Sequence, residues 1–286
     1  MKHKALIGFD INEYPEIEIF QKYFECDFCE YSEDYFNKNI SQYSILVPHL
    51  YLKLTHEHIN KASNLKYIFT PSTGTNHLDL KAINNNDINL YCLSDNAEFI
   101  SEISSTAELA WLLILAANRK ILQLNKRVLT ENSWKNNDLR GNQLKNKTIG
   151  IIGFGRLGKM IFNYAKSFDM NILIYDTDKS STIGYEDYAK DFNELLKESD
   201  IITLHPKLKE ISFEMINSET LKHMKEGVII INTSRGDVIN SNDLLDAIKS
   251  GKVRFAAMDV LRNEFHSGKL PNDPLIEYAL KEDNSD

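Results

Sequence analysis

Three glycines, Gly153, Gly155 and Gly158, stand in a G-x-G-x-x-G spacing, and Asp176 follows about twenty residues later. The first glycine lets the chain turn sharply, the second lets backbone approach a pyrophosphate, and the third lets a helix pack closely on a strand. Arg156 and Leu157, between them, would open a helix whose free N–H groups and positive dipole end suit phosphate. Asp176 is an acceptor for two ribose hydroxyls and repels a 2′-phosphate, which favours NAD over NADP. The same spacing also serves ordinary turns, or a dinucleotide-type domain that has lost its ligand. Further on, apolar runs end on His205-Pro206, on Thr233-Ser234-Arg235 and on Asp259. Ligands of an open parallel sheet bind beyond the carboxyl ends of its strands, so this repeated placement is the strongest site argument in the chain.

Other groups with chemical potential are less pointed. Pro71-Ser-Thr-Gly-Thr-Asn76 is a loop of small residues. Such a loop exposes consecutive N–H groups and can hold a carboxylate, but it equally suits a plain strand-to-helix turn. His77 and Asp79 read as residues that orient the loop or cap a helix. Cys26 and Cys29 make one C-x-x-C, and only Cys92 remains as a further thiol. A zinc site wants a second pair, so the cysteines read as reduced cytosolic thiols, with no metal expected.

The elements that must position these groups alternate between strand and helix. Residues 1 to about 99 read as a small α/β domain with strands at Ala5–Gly8, Ser44–Val47, Leu65–Thr70 and Asp87–Tyr91 and helices at Pro15–Phe24 and Thr55–Ala62. A single long helix is expected from Ser101 to about Thr130, with apolar positions at Ala107, Ala110, Trp111, Ile114, Leu115, Leu122 and Val128. A helix so long and apolar belongs at a domain junction or a dimer interface. A polar loop follows from Ser133 to Asn146. Then come strands around Ile149–Ile152, Asn171–Tyr175, Asp200–Leu204, Gly227–Asn232 and Val253–Met258, with helices between them.

Bulk properties set the class. The chain has 286 residues, room for two domains, with 42% hydrophobic and 26% charged residues and a net charge of −8. The negative balance argues against nucleic acid and acidic membrane surfaces as partners. No apolar run reaches the length of a membrane span, and the N-terminus reads as a first strand, so a cytoplasmic protein is expected.

Taken together, STGTNHLD (72–79), STAELAWLLILAANR (105–119), IGIIGFGRLG (149–158), IYDTD (174–178), DIITLH (200–205), VIIINTSRGDVIN (228–240) and AAMDVLRNE (256–264) resemble the D-isomer-specific 2-hydroxyacid dehydrogenases over nearly the whole chain. The resemblance implies two Rossmann-like, doubly wound parallel-sheet domains of the α/β class, one flavodoxin-like and one NAD-binding, with a cleft between them. Residues 1–99 would be the substrate-binding domain and 100–286 the NAD-binding domain. It implies NAD(H)-dependent interconversion of a D-2-hydroxy acid and its 2-oxo acid, in a homodimer. Arg235 matches the catalytic arginine and Glu264 the acid that pairs with the catalytic histidine. Thr73, Gly74 and Thr75 match the loop whose amides hold the substrate carboxylate. Gly153, Gly155, Arg156, Leu157, Gly158, Asp176, His205, Pro206, Thr233, Ser234 and Asp259 match the cofactor side.

The sequence departs from the family pattern in places. The histidine is expected after Glu264, beyond a stretch like Asp273–Ile276, and the sequence ends at Lys281–Asp286 where that segment and the return to the first domain would begin. His205, His223 and His266 do not match its position. An NAD(H)-binding protein of the same fold without turnover is the alternative reading at this level. Phe265 replaces the usual proline, and Asp169 stands where a glycine usually follows the helix.

Overall fold

The computed structural model describes residues 2–9, 12, 18–29, 33–50, 52–131, 134, 137–264 and 270–281. The chain divides into two compact units, residues 1–102 and a second running from residue 103 to the C-terminal helix. The first unit holds β1 (Lys4–Ile7), β2 (Glu25–Phe28), β3 (Ile45–Val47), β4 (Tyr67–Thr70) and β5 (Asn89–Cys92). The second holds β6 (Thr148–Ile152), β7 (Asn171–Tyr175), β8 (Ile201–Leu204), β9 (Val228–Asn232) and β10 (Val253–Met258). The sheets are ordered β2-β1-β3-β4-β5 and β10-β9-β8-β6-β7, and the pairings in both are parallel. The α/β class with two doubly wound parallel sheets is therefore as the sequence implied.

The second sheet is covered on both faces. Alternate residues of one strand enter different cores: Ile229 and Ile231 pack with Ala107, Trp111 and Ile161, whereas Val228 and Ile230 pack with Leu195, Leu221 and Leu244. A strand buried on both sides favours apolar residues on both faces, which is why β8 and β9 read as apolar runs apart from the buried polar Thr203 and Asn232. The first unit is built around one cluster, with Leu6, Tyr43, Leu46, Ile59 and Ile68 at its centre. Its edge strand β2 is only partly buried, and nothing in its residues Glu25-Cys-Asp-Phe28 signals a strand.

The long helix does not run unbroken. Helical segments cover Ala97–Ser101, Ser105–Arg119 and Ile121–Glu131. The break at Lys120 is a left-handed residue, φ 53°. The loop after it explains the stop: Asn142 N–H donates to the Asn118 carbonyl at 3.2 Å and the Asn118 amide donates to the Asn142 carbonyl at 2.6 Å, so the loop serves groups that a continuing helix would use. Leu122, which fits the apolar stripe in sequence, is 63% exposed. Asp169, in the place of the usual glycine, is also left-handed at φ 53°. A short aspartate tolerates that conformation better than most side chains. A further helix, Pro274–Ala279, lies beyond the elements that the sequence pattern implies; Asp273 caps it and accepts from Ser241 Oγ at 2.7 Å.

Candidate active site

The turn after β6 is where the glycines show what they do. Gly153 has φ 90°, and a Cβ on it would lie 2.5 Å from the His205 carbonyl carbon and the Pro206 nitrogen. A Cβ on Gly158 would lie 2.2 Å from the Gly153 carbonyl oxygen. These two glycines thus close the turn onto β8 and onto the helix. Gly155 differs: it is the N-cap of the Arg156–Ser167 helix, makes no side-chain cap bond, and has open space where a Cβ would be. A backbone that is bare, turned to the solvent side and followed by free helix N–H groups fits the pyrophosphate of a dinucleotide. The Arg156 guanidinium donates to the Ile103 carbonyl, and the Leu157 side chain packs into the core. What these two residues offer a phosphate is their amides.

The strand ends beside this turn carry polar groups. Asp176 follows β7, where one carboxylate oxygen accepts from the Phe154 amide at 2.7 Å and the other from the Asp178 amide at 2.8 Å. His205 follows β8, its Nε2 2.8 Å from Thr203 Oγ1. The residue as a whole keeps some surface, but Nδ1 is buried without a hydrogen-bond partner. Burial pushes its pKa down to about 4, so the ring is neutral near pH 7. Thr233 follows β9, and its Oγ1 is likewise buried and unpartnered. Two orphaned polar atoms on adjacent strand ends are what a site awaiting a polar ligand presents.

The next loop brings the charged pair together. Asn232, fully buried, accepts from the Ser234 amide and hydroxyl at 3.0 and 2.8 Å and donates to the Arg235 carbonyl at 2.9 Å. This knot turns the chain so that Arg235 leaves the sheet end. Its guanidinium donates to the Ser234 carbonyl at 2.6 Å. Gly236 follows, and a Cβ there would fall 2.1 Å from the Leu261 carbonyl carbon and 2.3 Å from the Arg262 nitrogen. Backbone lies on backbone, so the loop after β9 and the loop after β10 are in direct contact. Glu264 sits in the second of these loops and accepts from the Leu261 amide at 2.7 Å. Burial pushes the Glu264 carboxyl above the ordinary range; the Leu261 amide and the Arg235 charge oppose this, and Asp259 and Asp237 add to it. Arg235 and Glu264 are therefore electrostatic neighbours. Asp259 is exposed, and its amide donates to the Asn232 carbonyl at 2.9 Å.

In the first unit, the loop after β4 is ordered by its serine. Ser72 Oγ donates to the Gly74 carbonyl at 2.6 Å and lies 2.8 Å from Thr70 Oγ1. Among the described residues, no backbone carbonyl accepts from the amides of Thr73, Gly74 or Thr75. His77 is buried beside Thr70, and Asp79 caps the Leu80–Asn85 helix through the Ala82 amide at 3.0 Å. Both hold structure, as their sequence context suggests. The thiols are quiet: burial pushes Cys29 up to about 11, with the Asp27 charge adding to it.

Asn232 and Gly236 are working parts of this loop that no local sequence signal marks. The glycine after Arg235 was visible, but its reason, contact with a backbone 25 residues later, is a tertiary fact. His266 and Phe265 lie outside the described residues.

Residues 111–282 match the family described as D-isomer specific 2-hydroxyacid dehydrogenase, NAD binding domain. The D-3-phosphoglycerate dehydrogenase of Archaeoglobus fulgidus is 36% identical over 244 residues, covering 84% of this chain and 44% of that protein. The hydroxypyruvate reductase of Thermotoga maritima is 34% identical over 252 residues, covering 88% of this chain and 78% of that protein. The chain thus spans less than half of one relative and about four fifths of the other. Among solved structures, a D-lactate dehydrogenase from Aquifex aeolicus complexed with NAD and lactic acid superposes with a TM-score of 0.83 at 26% identity, covering 97% of this chain and 85% of that one.

Proposed function

The chain belongs to the D-isomer-specific 2-hydroxyacid dehydrogenase family and carries its NAD-binding domain, and on that premise we propose that it interconverts a small 2-oxo acid and the D-2-hydroxy acid, with NAD(H) as cofactor. One observation supports this reading: Arg235 and Glu264 are electrostatic neighbours beyond the carboxyl ends of the sheet whose first turn suits a dinucleotide. The relatives named above are dehydrogenases or reductases, which supports turnover over cofactor binding alone.

The cofactor would be held by the Gly153–Gly158 turn and the amides of Arg156 and Leu157 at the pyrophosphate and by Asp176 at the ribose. His205, Pro206, Thr233, Ser234 and Asp259 would line the remaining path. When bound, NADH supplies the hydride that a 2-oxo acid needs. The chain's own residues would bind and polarise the substrate. The Arg235 guanidinium, a rigid fork of donors, would bind the substrate carboxylate and polarise the carbonyl oxygen beside it. The amides of Thr73, Gly74 and Thr75 would offer donors to a carboxylate, residues 1–99 serving as the substrate-binding part. Glu264 matches the acid that pairs with the family's catalytic histidine and raises its pKa to ready a proton for the developing alkoxide, a position that none of His205, His223 and His266 matches.

The assay is NADH consumption at 340 nm by the full-length protein against glyoxylate, hydroxypyruvate, pyruvate and bulkier 2-oxo acids. Turnover of at least one is expected, and Arg235→Ala should lower kcat/KM by ~10³-fold or more. A product that binds NADH and reduces none of them would sink the reading. We further propose a homodimer in the cytoplasm. Leu112, Leu122 and Leu129, exposed at 57%, 63% and 75%, give a second copy an apolar face to cover, and the free thiols suit a reducing compartment. Light scattering on the eluted protein tests the dimer.

A further inference from the structure

Arg262 stands two residues before Glu264 and takes no part in the site as described so far. Its guanidinium reaches two carboxylates from two other segments. One terminal nitrogen lies 2.5 Å from Glu214 Oε1, and Nε lies 3.2 Å from Asp237 Oδ1. The guanidinium also lies 5.2 Å from the centre of the Phe213 ring. The side chain is only 31% exposed, so these charges are less screened than on open surface. The two partners are already joined: the Glu214 amide donates to the Asp237 carbonyl at 2.8 Å, with Glu214 itself left-handed at φ 46°. Arg262 therefore fastens the loop after β10 to a prebuilt anchor made of the segment before Ile216 and the turn after β9.

That loop has need of fastening. It carries Glu264 at its far end and reverses through Asn263 at φ 59°, a left-handed residue. Its own internal tie is the Leu261 amide donating to the Glu264 carboxylate. The contact at Gly236 gives closeness but no directional bond. The Arg262 guanidinium supplies direction through its hydrogen bond to Glu214, and its ion pair with Asp237 draws the same loop onto the turn after β9.

We propose that Arg262 is a positioning residue: by clamping Glu214 and Asp237 it sets the Asp259–Glu264 loop on the turn after β9 and holds the Glu264 carboxylate in its working place beside Arg235. The inference rests, for its catalytic meaning, on the dehydrogenase reading above. Among the described residues, the charged groups that act on Glu264 are Arg235 and Asp237 from the turn after β9 and Asp259 from the end of β10. Arg262 also neutralises Asp237, so its loss would leave a bare negative charge near Glu264. Removing a positive charge stabilises the protonated form of a neighbouring acid, so apparent pKa values at the site must rise.

The test uses the full-length protein and the variants Arg262→Gln, Arg262→Lys and Glu214→Gln. For Arg262→Gln, kcat for 2-oxo acid reduction should fall ~10- to 100-fold, as for other slight misplacements of a working group, with the KM for NADH within about twofold of wild type. Its pH–rate profile should move to higher pH by about half a unit or more, and Arg262→Lys, which keeps the charge but not the fork, should restore the profile and only part of kcat. A second readout needs no turnover: the Leu261 amide should exchange with solvent ~10-fold faster or more in Arg262→Gln and in Glu214→Gln, while amides of β9 keep their wild-type rates. Wild-type protein inactive on all acids would refute the dehydrogenase reading, and the exchange data would still decide the clamp. An unmoved pH profile together with unmoved Leu261 exchange overturns the proposal. If Arg262→Gln fails to fold, Arg262→Lys and Glu214→Gln carry the same readouts.

Discussion

The two sheets share one topology and differ in what they do with it. Counted within each unit, both run in the spatial order 2-1-3-4-5. In both, the first strand ends on a glycine packed against the segment that ends the third. A Cβ on Gly8 would lie 2.7 Å from the His49 amide nitrogen, and one on Gly153 would lie 2.5 Å from the His205 carbonyl carbon. Doubly wound sheets make a crevice there, between strands whose connections leave in opposite directions. In the second unit the glycine is followed by the bare Gly155, the close-packed Gly158 and a 12-residue helix, with Asp176 on the next strand end. In the first unit the matching place is a small apolar hollow among Gly8, Cys29, Phe36, His49 and Leu52. Topology gives both units a crevice; residue chemistry makes one of them fit for an anion.

Exchanges at matching places can break or sharpen this contrast. Gly153→Ala should cost the most, ~3–4 kcal/mol of stability from a left-handed φ plus a backbone clash, read by urea unfolding. An effect no larger than that of Gly8→Ala, which lacks the positive φ and should cost ~1–2 kcal/mol, would erase the distinction. His205 comes next. Its pKa in the folded protein, about 4, lies below the ordinary histidine value, so the unfolded chain binds the proton first as pH falls. Stability should therefore drop between about pH 6.5 and 4, by up to ~3 kcal/mol, and His205→Gln should flatten that slope, with His49→Gln as the control. Gly155→Ala separates binding from folding: stability should change by less than ~1 kcal/mol, since φ −78° suits alanine, while NADH affinity falls ~10-fold as a methyl enters the open space. Asp176→Asn should shift preference toward NADPH by about threefold to tenfold in kcat/KM ratios. A preference unchanged by that variant would remove Asp176 from the cofactor reading.

Much of the cofactor half was legible because its signals are local. Glycine spacing, an apolar run before it and an acid at the next strand end lie within a few dozen residues and each follows from backbone sterics or charge. The errors were also local in kind. The apolar periodicity through Leu122 and Val128 suggested one helix, yet Lys120 breaks it because Asn142 competes for the last-turn carbonyl of Asn118. Strand β2 went unseen because a half-exposed edge strand carries little apolar pattern.

The sequence by itself determined the alternation of strand and helix, the parallel sheets, the dinucleotide turn and which residue types end each strand. Periodicity and glycine placement act over short stretches, so they can be read without coordinates. Only the tertiary structure decided that Gly153 and Gly158 fill space while Gly155 leaves it open, and that Arg262 ties the Glu264 loop to Glu214 and Asp237. Those outcomes depend on which backbone lies within a few ångströms of which, across separations of up to about 50 residues, and no local signal encodes that.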